Sequence, residues 1–151
     1  MRRLIVLFLL AATACSTAPA PQAAAPGTPE FDIEATVIAA YNVVSGPAGR
    51  RDWNRFKALF TANGRIVSNG TEMTPEEFQK SVNDELQKTG LFEHPVATKI
   101  EQAGDVAQVW TRYESRHATT DPQPFARGVR AFQLVRSGEQ WRIASLLMQP
   151  E

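Results

Sequence analysis

Apolar positions change their period once along this chain, at Gly90. Upstream of it they recur at helical spacing. In TPEFDIEATVIAAYNVVS, Thr28 is a capping residue and Pro29 suits the first helical position. Ile38 and Tyr41 share a face there, with Phe31 and Val37 nearby. SGPAGRRD then breaks the pattern, because Pro47 and two glycines prevent a continuous helix. Asp52 is placed to cap a second helix, on which Trp53, Phe56 and Phe60 form one apolar face before Asn63-Gly64 stops it. RIVS reads as a short strand followed by a turn at Asn69-Gly70. A third helix, TPEEFQKSVNDELQKTG, opens on a capping box of Thr74 and Glu77, carries Phe78, Val82 and Leu86 as its buried stripe, and ends at Gly90.

Downstream of Gly90 the period is two. Phe92 to Ile100, Val106 to His117, Phe125 to Arg136 and Trp141 to Met148 each read as a strand. QAGD and RSGEQ are hairpin-like turns, and TTDPQP is a longer loop. The order predicts an α+β fold, with the N-terminal helices packed on one face of a curved antiparallel sheet. On the second of these strands Ala107, Val109, Thr111, Tyr113 and Ser115 point one way, toward the interior. Gln108, Trp110, Arg112, Glu114 and Arg116 point the other, giving an outer face of alternating charge and one Trp. Arg130 shares its phase with Gly128, Phe132 and Leu134 and so faces inward. There it either recognises an acidic ligand group or pairs with Glu93 or Glu114. His94 falls on the side of Phe92, Val96 and Ile100, which makes it a weaker candidate for the interior.

The first residues do not belong to this pattern. MRR is a basic n-region, LIVLFLLAA an apolar h-region, and ATAC ends on Cys15, the chain's one cysteine. The layout resembles bacterial lipoprotein signals, in which that Cys carries the lipid. STAPAPQAAAPG lacks any large apolar group and reads as a disordered spacer, reaching roughly 35 Å from a membrane at about 3.1 Å per residue. The expected organisation is a signal peptide over 1–14, a lipidated Cys15 with its Pro/Ala tether over 15–27, and a folded domain over 28–151. The expected location is the cell envelope, reached through the lipid at Cys15. Ser16 after the Cys resembles signals that pass lipoproteins on to an outer membrane where the cell has one. Without Arg2 and Arg3, fourteen basic residues face sixteen acidic ones. No basic stripe favours nucleic acid, and membrane contact is expected from lipid rather than from a polybasic face.

RFKALFTANGRIV, VWTRYESR and FQLVRSGEQWRIASL, in this element order, resemble the nuclear transport factor 2-like superfamily, over about Glu30 to Pro150. The resemblance implies a cone: a curved sheet wrapped around N-terminal helices, with a pocket inside. It includes isomerases, dehydratases and cyclases of small apolar molecules, and members that only bind or assemble. It also implies a role for Tyr41, whose place resembles the phenol that donates to an oxyanion in ketosteroid-isomerase-like members. The general base of those enzymes would fall near Ser68, which cannot replace a carboxylate, and FARGVRAFQLVR holds no second acid.

Phase and resemblance together give Tyr41, Trp53, Phe56, Tyr113 and Ser115 as pocket candidates, with Arg130 near the mouth. No metal is expected, because His94 and His117 belong to no ligand-spaced pair, and no cofactor motif is present. Three readings remain. The first is a domain that binds a small apolar or amphipathic molecule, or a partner, without catalysis. The second is a proton-transfer or dehydration enzyme using Tyr41 with His94 or Tyr113. The third is a structural homodimer formed through the outer sheet face.

Overall fold

The computed structural model describes residues 29–151, with side chains from Asp32 onward. The signal segment, Cys15 and the tether lie outside the described residues. Helix α1 (Pro29–Val44) is followed by α2 (Trp53–Ala58), strands β1 (Phe60–Ser68) and β2 (Thr71–Met73), helix α3 (Pro75–Lys88), and strands β3 (Phe92–Ala103), β4 (Val106–Arg116), β5 (Ala126–Ser137) and β6 (Gln140–Pro150). The strands form one six-stranded sheet in the order β2-β1-β6-β5-β4-β3. Helix α1 lies across its concave face, against β3 and β6. Among the described residues no helix is long and apolar enough to cross a membrane.

The α+β plan and the four-strand antiparallel meander are as the sequence predicts. Other features differ. Helix α2 is one and a half turns long, and Phe60 leaves it to open β1, pairing with Ile143. β1 therefore runs parallel to β6, and only its far end pairs antiparallel with the added strand β2. On α1 the buried stripe is Ile33, Val37, Ala40, Tyr41 and Val44, with Ile38 half-buried beside it. On α3 the capping box is as expected, with Glu77 N–H donating to Thr74 Oγ1 at 3.2 Å and Thr74 N–H to Glu77 Oε2 at 2.8 Å; of the expected stripe Phe78 and Leu86 are buried and Val82 is half-buried. Gly90 follows this helix for a reason other than a left-handed cap. A Cβ there would stand 2.3 Å from the carbonyl oxygen of His117, so the close approach of two backbones requires glycine.

The breaker between α1 and α2 is pinned to the edge strand. Gly46 and Leu91 exchange backbone hydrogen bonds of 2.6 and 3.0 Å. Ser45 Oγ accepts from Glu93 N–H at 3.0 Å and donates to the Glu93 carbonyl at 2.8 Å. Arg51 organises the loop itself, donating to the carbonyls of Val44, Gly46, Pro47 and Gly49 at 2.8 to 3.0 Å. Removing the guanidinium would strip four carbonyls of their donor, three of them in part-buried contacts. Arg51→Met, which keeps the stem and removes the donors, should lower unfolding free energy by about 1.5–3 kcal/mol. Urea denaturation measures this, and a loss below about 0.5 kcal/mol would show that the loop holds its shape without the guanidinium.

Register shifts in β3 and β6 curve the sheet and reset which side chains face in. In β3 the register shifts between Pro95 and Ala97, so Glu93 and Pro95 face inward before it and Thr98 and Ile100 after it. In β6 the shift falls opposite Gln133 and Leu134, so Ile143 faces inward before it and Leu146 after. The unbroken alternation expected from Phe92 to Ile100 is thereby corrected. His94 is exposed on the outer face opposite Glu114, and its neighbour Glu93 takes the inward place.

Candidate functional site

The inward rows of β3, β4 and β5 meet at a buried polar cluster. Register sets Glu93 beside Ser115 on adjacent strands, and Thr111 beside Arg130. Arg130 Nη2 reaches Glu93 Oε1 at 2.5 Å, a contact off the alignment of a hydrogen bond. Ser115 Oγ donates to Glu93 Oε2 at 2.8 Å. The rings of Tyr41 and Tyr113 cover the guanidinium, their centroids 4.9 and 5.0 Å from its central carbon. Gly128 makes this possible, because a Cβ there would lie 2.7 Å from the Tyr113 hydroxyl. Tyr41 and Thr111 share a 2.6 Å hydrogen bond. Thr111 Oγ1 also lies 3.5 Å from the Arg130 carbonyl oxygen.

Burial governs the tyrosines. It pushes the Tyr41 hydroxyl up to about 12, against the smaller opposing pull of Arg130 and the Thr111 hydrogen bond. Burial raises Tyr113 too, again opposed by Arg130. These are the chain's two tyrosines, so a spectrophotometric titration reads them without interference. The unfolded chain loses phenol protons near 10 while the folded protein keeps them. Stability is therefore full below about pH 10 and falls as pH rises toward about 12. Absorbance at 295 nm should show no tyrosinate step at pH 10, and its rise should coincide with loss of circular dichroism. A phenol titrating near 10 in the folded protein would contradict the burial.

A cavity of about 400 Å³ opens beside this cluster. Its apolar wall comes from Val44, Phe78, Val82, Leu86, Leu91 and Phe125. Arg130 forms its buried end, while Glu85 and His117 stand at the exposed rim. The His117 ring stacks on Phe125 with centroids 3.9 Å apart and planes within 3°. His117 Nδ1 lies 3.1 Å from the Gly90 carbonyl. A carbonyl only accepts, so in the neutral ring Nδ1 carries the proton and Nε2 keeps a free lone pair.

The six pocket candidates thus separate into three groups. Arg130 lines the cavity, at its buried end rather than its mouth. Tyr41, Tyr113 and Ser115 surround Arg130 and its partner Glu93 without forming the cavity wall. Trp53 and Phe56 stand apart, in an aromatic core with Phe60 and Phe78, where the Trp53 indole donates to Asn83 Oδ1 at 3.0 Å. Phe78 is the ring shared by core and cavity. His117 was legible as a site residue, since it extends the inward phase of Tyr113 and Ser115 by one step. Glu93 was legible only as a partner for Arg130. Among the described residues no cluster of three or more His, Cys, Asp or Glu is placed to hold a metal ion.

Curated protein sequences include no match to this chain. Solved structures include many similar folds. A protein of unknown function with a cystatin-like fold from Nostoc punctiforme superposes with a TM-score of 0.68 at 11% identity, covering 81% of this chain and 90% of its own. A protein provisionally assigned as a scytalone dehydratase from Novosphingobium aromaticivorans gives 0.63 at 15%, covering 80% and 82%. One provisionally assigned as a ketosteroid isomerase from Shewanella frigidimarina gives 0.59 at 14%, covering 76% and 92%. At these identities the likeness concerns the fold. The sequence profile described as the SnoaL-like domain matches residues 37–146, from the middle of α1 into β6, and the chain belongs to that family.

Proposed function

We propose that this chain is an envelope lipoprotein whose SnoaL-like domain binds a small apolar or amphipathic molecule without converting it. The observation that carries the binding reading is the cavity: about 400 Å³, walled by Val44, Phe78, Val82 and Leu86, with a single charged side chain at its buried end. Binding is favoured over turnover by the state of the interior carboxylate. Proton transfer needs a base facing the substrate, and Glu93 is already engaged by Arg130 and Ser115. Tyr41, the expected oxyanion donor, is already hydrogen-bonded to Thr111.

A second reading has one observation behind it. His117 Nε2 is unprotonated in the neutral ring and stands at the cavity rim, where it suits a general base. Titration of tryptophan fluorescence with a panel of long-chain alcohols, apolar acids and sterol-like molecules separates the two. Binding should be saturable and at least tenfold weaker in Val82→Asn, which roughens the wall without touching the ion pair. Affinity that ignores this substitution would place the site elsewhere. Turnover of a panel member, lost in His117→Ala, would favour the enzyme.

The lipoprotein part rests on LIVLFLLAATAC and the tether after it. Cys15→Ala should abolish incorporation of labelled palmitate and release the domain from membranes; unchanged labelling would overturn it. Ser16 favours the outer membrane in a cell that has one. The outer sheet face, with Trp110 and Leu147 exposed, is the surface to examine for self-association.

A further inference from the structure

The charge at the buried end of the cavity is closed on itself. An arginine open to a cavity ordinarily selects carboxylates and phosphates. Arg130 does not stand alone in that way. Glu93 contacts its guanidinium from within the sheet and is itself held by Ser115 through its side chain and by Ser45 through its backbone. Two contacts hold the carboxylate, one on each oxygen, and two more fix the backbone that carries it. Tyr41 and Tyr113 lie against the guanidinium, so a ligand meets its edge. Arg130 as a whole is 9% exposed and lines the cavity, while its Nε–H is closed off from solvent and has no hydrogen-bond partner.

Building on the binding reading above, we infer that the cavity selects an uncharged molecule: an apolar body ending in one neutral acceptor such as a ketone, ester or hydroxyl. A neutral acceptor adds no charge at that end of the cavity and leaves the Glu93–Arg130 pair intact. A carboxylate would lose its water, meet a site of zero net charge, and face the Glu93 carboxylate across a shared guanidinium. Repulsion and desolvation then both oppose it. Glu85 at the rim adds repulsion of the same sign, but it is exposed and screened by salt.

The test compares matched probes by calorimetry at pH 7.5: methyl decanoate against decanoate, and 2-acetylnaphthalene against 2-naphthoate. The neutral member of each pair should bind at least tenfold more tightly. The ratio should persist in 0.5 M salt, which distinguishes the buried pair from Glu85. Glu93→Gln keeps an acceptor for Ser115 and leaves Arg130 without a counter-charge, so it should shift the ratio toward the acid by at least tenfold. Equal or tighter binding of the acids by the parent protein would overturn the inference while leaving the cavity as a binding site. Collapse of the ratio in salt, or an unmoved ratio in folded Glu93→Gln, would overturn it as well. Absence of binding by either member of both pairs would overturn the binding reading and this inference together. If Glu93→Gln does not fold, the parent ratio and its salt dependence decide the matter.

Discussion

Glu93→Ala should lower the unfolding free energy by about 3–5 kcal/mol, a large share of the roughly 5–15 kcal/mol that holds an ordinary domain. Glu93 is 7% exposed, and removing its carboxylate leaves Arg130, 9% exposed, with no counter-charge. It also deprives Ser115, 2% exposed, of its acceptor. Neither group can recover water without opening the sheet against α1. The reverse change, Arg130→Met, should cost a similar amount by stranding the carboxylate. The double variant Glu93→Leu with Arg130→Met should be far less damaging than the sum of the two, because a buried ion pair replaced by apolar side chains of similar volume is often close to neutral. Urea denaturation of the parent, both single variants and the double gives the coupling energy directly. Additive losses would mean that the pair is not coupled and that each residue acts through its packing alone.

The ion pair also marks where sequence reading stops. Arg130 faces inward because Phe132 and Leu134 do, and period-two phase carries that conclusion without help. Its partner is a different matter. Counting from Phe92 to Ile100 in steps of two puts His94 inside and Glu93 outside, and the bulge after Pro95 inverts this. One extra residue flips every side chain on one side of it to the opposite face. The trace it leaves in sequence is Pro95 within a strand, which fits the edge position of β3. Ile100, beyond the bulge, is on the inner side as its phase requires.

Local chemistry was the legible part of the fold. The Thr74–Glu77 capping box and the alternation of β4 depend on neighbours a few residues apart, and they stand in the structure as the pattern implies. The extent of α2 depends on a residue more than eighty positions away. Phe60 has the spacing to continue the helix, yet it pairs with Ile143 and becomes sheet. The aromatic stripe expected on one helix is instead shared between a short helix and the strand that follows. The candidate cavity was hidden for the same reason, since α3, the loop before β5 and the end of α1 each supply part of its wall.

Phe56→Ala should be the second severe substitution, with a loss of about 3–5 kcal/mol. Phe56 is 2% exposed and sits at the centre of the aromatic core. Its ring centroid lies 5.7 Å from that of Trp53, 5.2 Å from Phe60 and 5.5 Å from Phe78, in edge-on, tilted and stacked arrangements respectively. Such pairs each contribute about 0.5–1.5 kcal/mol beyond burial, and the alanine would lose three while opening a cavity between α2, β1 and α3. Trp53 cannot fill the gap without giving up its hydrogen bond to Asn83. Phe56→Leu, which keeps most of the volume, should cost markedly less. The two variants also bear on where the ligand sits. Phe56 forms no part of the cavity wall, so Phe56→Leu should leave probe affinity within about threefold of the parent while Val82→Asn does not. A loss below about 1.5 kcal/mol in Phe56→Ala, or a large fall in affinity in Phe56→Leu, would return Phe56 to the pocket that its position in the sequence suggests.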